Sequence, residues 1–449
     1  MLKRWDIFCK VVDNFGDIGV CWRLARQLKV EHQLQIRLWI DGLGAAQKII
    51  SSLNVAENNQ ICEEITILKW PSADKEDESD FSQAADVVIE AFACGLPPEY
   101  LAAMAQQQSP VSKTKWINLE YLSAEHWVDD FHGKPSPQAN GLTRYFYFPG
   151  FTEKTGGLIR ERNIGTQLGS NINPLLQVGE GARQRGREAV QFYLEGTPHS
   201  NLFPASGRET FTVESSDHNL DHNLKVSLFC YLNAPIHNLL AVMAESNQPI
   251  NCYVPASSIL PQIATFFGLE TVSVGDCVTR DNLHVHILPF LSQTDYDALL
   301  RDCDINFVRG EDSWVRAIWA GKPFIWQPYF QAENAHIKKL DAFLDLFYAD
   351  IKAQRLAQPS FPLRRESILS VAAALDSRLR GNDAVNKEIV FNSVTFIHHA
   401  WLTADVPMNV WQDYLDNLPA LKSYTLQQSK QFAQHPNLAA KLVIFCNKL

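Results

Sequence analysis

The sequence predicts an α/β protein built as two successive halves, each a mainly parallel sheet covered by helices. Three observations carry this reading. Short apolar runs alternate with helical patterns along most of the chain, which implies βαβ construction. A strand that passes through a glycine-bearing turn into a helix opens the chain (DIFCKVV, DNFGDIG, VCWRLARQL) and recurs as NFVRGEDSWVRA. The 449 residues, 46% apolar and 20% charged, are enough for two or three domains with sizeable cores.

In order, the first half offers strands at 6–12, 34–40, 65–69, 86–92 and 116–119, with a helix at 20–28 carrying apolar residues at helical spacing. The second half offers strands at 225–232, 251–254, 284–291, 305–308 and 323–326, separated by helices at 235–245, 258–267, 293–302 and 311–320. The chain ends in helical patterns at 410–415 and 426–432. These elements place one domain at 1–220 and a second at 221–426, with a terminal helix at 427–449 expected to return to the first lobe. Three stretches break the rhythm. The acid-rich 74–80 (DKEDESD) reads as a solvated loop, and 156–188 and 358–383 read as loosely packed surface insertions.

Composition narrows the class of protein. Forty Lys and Arg against 50 Asp and Glu give a net charge of -10, which disfavours indiscriminate adhesion to nucleic acid or anionic membrane. No stretch approaches the roughly 18 to 20 apolar residues of a spanning helix, and the first 19 residues lack the apolar core of a secretory signal. Nine cysteines stand singly, with no C-x-x-C pair, which suits a reducing cytosol and a cytoplasmic protein.

Four segments could carry chemistry. Asp13, Asn14, Phe15, Gly16 and Asp17 lie at the carboxyl end of the first strand, where open α/β sheets bind ligands. The turn is not G-x-G-x-x-G, and two aspartates suit a base or a cation binder better than a diphosphate cradle; alternatively Asp17 caps the helix and Asp13 closes the turn. In the second, Arg309, Gly310, Glu311, Asp312 and Ser313 lead into a helix whose first N–H groups could bind a diphosphate, with Arg309 adding charge-assisted bonds. The alternative is a capped helix whose acids complement its dipole. In the third, Phe290 and Tyr296 bracket Gln293 and could hold a flat base whose edge the amide reads; alternatively both rings are core. The fourth combines 320–323 (AGKP) with the aromatics of 326–331 (WQPYFQ), which could wall a cleft. His398 and His399 read as partly exposed helix, and no histidine spacing suits a metal.

DNFGDIGVCWRLARQL together with NFVRGEDSWVRAIWAGKPFIWQPY closely resembles the elongation factor P arginine rhamnosyltransferase family, and KVSLFCYLN and HILPFLSQTDYDALL resemble it too. The resemblance spans residues 5–348 and returns near the C-terminus. It implies a GT-B fold, two Rossmann-like domains facing across a cleft. It implies metal-independent, cofactor-free and inverting transfer of L-rhamnose from dTDP-β-L-rhamnose to an arginine of elongation factor P, which activates that factor for rescue of polyproline-stalled ribosomes. By the same resemblance Asp17 is the general base, Asp13 and Glu311 are further critical acids, and Asn14, Phe15 and Gly16 line the sugar and acceptor side. Phe290, Tyr296 and Gln293 hold the thymine, and Tyr231 contacts the donor diphosphate. Arg309, Gly310, Asp312 and Ser313 form the diphosphate loop.

The residues suit that chemistry. A guanidinium stays protonated and is a poor nucleophile, so its site needs carboxylates that orient the fork and accept a proton. Competing readings are another GT-B nucleotide-sugar transferase or epimerase with a small acceptor, a dinucleotide oxidoreductase, which the first turn's glycines do not favour, and a non-catalytic module that docks on a translation factor.

Overall fold

The computed structural model describes residues 3–12, 15–70, 81, 83–107, 113–162, 164, 223–351, 383–403 and 405–449. The expected loop at 74–80, residues 163 and 165–188 of the first expected insertion, residues 358–382 of the second and the 220/221 domain boundary lie outside them.

The first lobe runs β1 (Arg4–Cys9), α1 (Gly16–His32), β2 (Gln35–Ile40), α2 (Leu43–Ile49), β3 (Asn59–Cys62), β4 (Ile65–Lys69), β5 (Val87–Ala91), α3 (Pro98–Gln106), β6 (Lys115–Leu119), α4 (Val128–Phe131), β7 (Pro135–Pro137) and β8 (Thr143–Tyr147). The second runs β9 (Leu224–Leu228), α5 (Ile236–Ala244), β10 (Ile250–Pro255), α6 (Leu260–Phe266), β11 (Cys277–Arg280), β12 (Leu283–Leu288), α7 (Gln293–Asp302), β13 (Ile305–Arg309), α8 (Asp312–Ala320), β14 (Phe324–Gln327) and α9 (Ala335–Phe347). Helices α10 (Asp383–Leu402), α11 (Met408–Asp416), α12 (Leu418–Phe432) and α13 (Leu438–Lys448) follow.

The strand orders are β3-β4-β2-β1-β5-β6-β8-β7 and β11-β12-β10-β9-β13-β14. Each sheet's core is parallel and begins at its middle strand, β1 or β9, before the order reverses toward β5 or β13. Both lobes therefore have a switch point where loops diverge at the carboxyl ends of the strands. Among the described residues only β3, β7 and β11 pair antiparallel, at the sheet edges. They went unread because they are short and largely exposed, with no apolar alternation. The central strands β5 and β13 are buried at every position, as helices on both faces require.

Helix α1 starts at Gly16, four residues before the expected apolar run. It is buried on nearly every side, Arg23 and Gln27 included, because it lies between its own sheet and the second lobe. Arg23, 3% exposed, reaches across to Asp312 (2.7 Å) and Asp297 (2.9 Å). Arg316 closes the cluster on Asp297 (2.6 Å) and Glu161 (2.7 Å). Burial alone would lower the Arg23 pKa, but Asp312, Asp297 and Glu161 together raise it, so the guanidinium stays charged. Beside it, Gln293 Nε2 donates to Gly19 O at 3.0 Å. A Cβ on Gly19 would stand 3.3 Å from Asp312 Oδ2, so a side chain there would press on the clamp.

Two expectations are corrected. The 156–188 stretch is not surface where it is described: Leu158, Ile159 and Ile164 are buried, Trp319 Nε1 donates to Ile159 O at 2.8 Å, and Glu161 joins the ion cluster. Its glycines and polar residues hid three apolar anchors. His398 is 1% exposed rather than partly exposed, and burial lowers its pKa to about 4. Residues 427–449 divide between the lobes. Helix α12 lies on the second, with Thr425 Oγ1 donating to Gly321 O at 3.2 Å. Helix α13 lies on the first, where Lys115 Nζ donates to Cys446 O at 2.6 Å and Lys3 Nζ to Asn447 Oδ1 at 2.7 Å.

Removing Arg23 leaves buried carboxylates short of their partner. Arg23→Met is expected to cost about 3 to 5 kcal/mol of unfolding free energy in urea titration; a loss below about 1 kcal/mol would show that the clamp is not buried as described.

Candidate functional site

The two glycine turns face each other across the cleft between the lobes. In the first lobe Phe15 occupies the N-cap position of α1 without a side-chain capping bond, and Gly16 and Asp17 form the first turn. Asp17 is 2% exposed. Its Oδ2 accepts from Val12 N–H at 2.8 Å, and Tyr121 O–H donates to Oδ1 at 3.4 Å. The carboxylate thus turns back toward the strand end instead of capping the helix. Asp13 and Asn14 lie outside the described residues.

In the second lobe β13 ends at Arg309, and Gly310 turns the chain with a left-handed φ of 58°, which only glycine adopts freely. Trp326 Nε1 donates to Gly310 O at 2.7 Å and fixes the turn. Glu311 takes the N-cap position of α8, and its side chain makes no capping bond. Ser313 Oγ accepts from Arg309 N–H at 3.0 Å and donates to Arg309 O. Its hydroxyl braces the turn. Asp312 is likewise engaged, by Arg23 and by Gln293 Nε2 at 3.3 Å. Both side chains brace the loop, and both also line the cavity that Arg309 lines.

Arg309 lies with its guanidinium carbon 4.5 Å from the ring centres of both Phe229 and Tyr231. Among the described residues no carboxylate lies within ion-pair distance of it. Its charge is held by aromatic faces, leaving its fork of N–H donors for an anion.

Two cavities meet here. One, about 650 Å³, is lined by Phe15, Phe229, Phe290, Gln293, Tyr296 and Arg309, with Gly16, Gly310 and Glu311. The other, about 770 Å³, is lined by Asp17, Phe92, Tyr121, Trp326, Tyr329 and Lys339, and again by Gly16, Gly310 and Glu311. Glu311 therefore stands at the junction and Asp17 on the far side of it. The structure brings together Phe15, Gly16, Asp17, Phe290, Gln293, Tyr296, Arg309, Gly310, Glu311, Asp312 and Ser313 around the two cavities, and Tyr231 adjoins them through Arg309.

Some placements differ from expectation. Phe15 lines the cavity of Phe290, its ring 5.1 Å from Phe290 across the cleft, and not the cavity of Asp17. Phe229, unread in the sequence, lines the first cavity; Tyr231 packs behind it against Arg309 and Tyr329. Gln293 spends its amide N–H groups on Gly19 and Asp312, so only its buried Oε1, which has no donor among the described residues, remains to read a ligand. Burial holds the Tyr296 phenol well above its usual pKa, keeping the ring neutral. Phe92, Tyr121 and Lys339 were also unread, since nothing local marks a residue that follows a strand, or one within α9, as cleft-facing.

Comparison with known proteins fits this geometry. The family described as "Elongation-Factor P (EF-P) rhamnosyltransferase EarP" matches residues 5–361. A protein-arginine rhamnosyltransferase of Pseudomonas putida is 45% identical over 345 residues, covering 77% of this chain and 81% of the relative. One from Neisseria meningitidis serogroup B is 31% identical over 447 residues, covering 98% and 96%. A solved structure described as the structural basis for EarP-mediated arginine glycosylation of translation elongation factor EF-P aligns with a TM-score of 0.56 at 26% identity, over 99% of both chains.

If the first cavity holds a thymine nucleotide, losing an aromatic wall costs stacking worth about 1 to 3 kcal/mol. Phe290→Ala is expected to weaken dTDP binding about tenfold or more by calorimetry, and Arg309→Met to weaken dTDP far more than thymidine. Unchanged dTDP affinity in Phe290→Ala would remove the base from this cavity.

Proposed function

We propose that this chain, which belongs to the elongation factor P (EF-P) rhamnosyltransferase family, transfers L-rhamnose from dTDP-β-L-rhamnose to an arginine side chain of elongation factor P, with inversion at the anomeric carbon. One observation carries the reading: Asp17 and Glu311, brought by two turns distant in sequence, line a single cavity that opens onto the Arg309 cavity. An acid-lined compartment suits a cationic acceptor, and an arginine beside a helix start suits a diphosphate.

The nucleotide occupies the Phe290 side, its base against Phe290, Phe15 and Tyr296, and Gln293 Oε1 accepts from the base N–H. Its diphosphate meets Arg309 and the N–H groups at the start of α8. The acceptor guanidinium enters from the Asp17 side, oriented by Asp17 and Glu311, with Asp13 as a third acid. The guanidinium nitrogen attacks the anomeric carbon from the face opposite the diphosphate. The C–N bond forms as the bond to the diphosphate oxygen breaks, and Asp17 takes the proton. Attack from one lobe and departure toward the other yields inversion in a single displacement. Drawing the lobes together around both substrates excludes water and limits donor hydrolysis. This reading uses no metal or cofactor. A cytoplasmic location beside the translation factor agrees with nine cysteines that are all free. No helix among the described residues is long and apolar enough to cross a membrane.

The direct test is incubation with dTDP-rhamnose and unmodified elongation factor P, read by intact mass and peptide mapping. The expected result is one added deoxyhexose on one arginine; no gain, or sugar elsewhere, contradicts the proposal. Asp17→Asn keeps an oxygen to accept from Val12 N–H but loses the base. It should lower the transfer rate at least 100-fold with dTDP affinity within about twofold of the parent. Full transfer by Asp17→Asn would strip Asp17 of this role.

A further inference from the structure

Accepting that reading of the Asp17 cavity as the acceptor side, the geometry points to the stacked pair Phe92–Tyr121 as the wall that recognises the acceptor guanidinium, with Tyr121 also the positioning residue for Asp17. The two rings are parallel within 16°, their centres 4.4 Å apart, and both line the cavity that holds Asp17 and Glu311. They follow β5 and β6, neighbours in the sheet on the side of β1 away from β2.

The backbone that carries Phe92 is unusual. Phe92 and Ala93 have φ of 58° and 52°, two successive non-glycine residues in the left-handed region. That conformation disfavours a bulky side chain and persists only where its surroundings enforce it. Here they do. Phe92 N–H donates to Leu119 O at 2.7 Å, Ala93 N–H to Asn118 Oδ1 at 3.1 Å, and Gly95 N–H to Glu90 Oε1 at 2.9 Å. Asn118 and Glu90 are themselves buried. A glycine would turn the chain here without strain. Keeping phenylalanine, half-buried and facing a cavity, is explained by a use for its ring.

That use follows from the neighbouring charges. A guanidinium is flat, weakly hydrated along its faces and hydrogen-bonding around its edge. It is held best by an aromatic face together with carboxylates at its rim, and this cavity supplies both. The face already draws a cation: Lys339 Nζ lies 5.7 Å over the Tyr121 ring. An ammonium gains less from stacking than a guanidinium does, so the wall selects arginine over lysine. Through its O–H, Tyr121 joins this wall to Asp17 Oδ1, so the surface that seats the acceptor also fixes the group that takes its proton.

The test is steady-state transfer to elongation factor P at saturating dTDP-rhamnose, with dTDP affinity and melting temperature measured on the same preparations. Phe92→Leu is expected to raise the acceptor KM about tenfold, with kcat and dTDP affinity within twofold. Tyr121→Phe keeps the ring and loses the hydroxyl; it should lower kcat about tenfold with KM unchanged. Tyr121→Leu should show both defects. The proposal is overturned if all three variants match the parent, or if their losses track a lowered melting temperature and weaker dTDP binding, as a purely structural wall would produce. An inactive parent chain would instead defeat the functional reading beneath it; an active parent with unaffected variants defeats this inference alone.

Discussion

Burying Arg23 between the lobes is the constraint on which the site depends. Its guanidinium bonds to Asp312 and Asp297 of the second lobe while its backbone belongs to the helix whose first turn holds Asp17. Asp312 is the residue after Glu311. One side chain therefore ties the helix that presents the first acid to the helix start that presents the second. Taking such charges out of water is costly, and the attraction returns about what desolvation takes. The clamp's contribution is registry: it sets two turns, almost 300 residues apart in the chain, within a shared cavity. Gly19 belongs to the same device, since a side chain there would press on Asp312 and Gln293.

The clamp also explains why the loop at 309–313 is more structural than its composition suggests. Of its five residues, Asp312 faces the clamp, Ser313 braces the turn, and Gly310 supplies the left-handed φ. Arg309 and Glu311 contribute one charge of each sign to the cavities that the loop lines. That asymmetry puts a positive and a negative side chain of a single turn on two adjoining cavities.

Local sequence carried most of this. The strand–glycine–helix turns were legible because a buried strand, a turn residue and helical spacing each leave a mark within a few residues. The two-lobed fold followed from their recurrence, and the resemblance named the acids and rings that the structure groups together. What escaped was non-local. Arg23 and Asp297 are 274 positions apart, so nothing near either says they pair. The bonds that brace Asp312 and Ser313 were invisible in the sequence, and nothing there set Phe92 or Tyr121 apart. The apolar anchors Leu158 and Ile159 were hidden because two buried residues in a polar stretch have no period to reveal them.

Three well-buried arginines provide a comparison within one molecule. Arg23 and Arg316 each have carboxylates at ion-pair distance, and their positive charge is consumed by the clamp. Arg309 is 9% exposed, yet it rests on Phe229 and Tyr231, with no carboxylate in reach among the described residues. If packing were its only task, an acid partner or an apolar residue would satisfy the site at lower cost. A cation kept out of water, supported by aromatic faces and pointed at a cavity, is poised for an anion that arrives with its own charge. The same chain thus pairs two buried arginines with acids at the joint between its lobes and sets a third on aromatic faces beside a cavity.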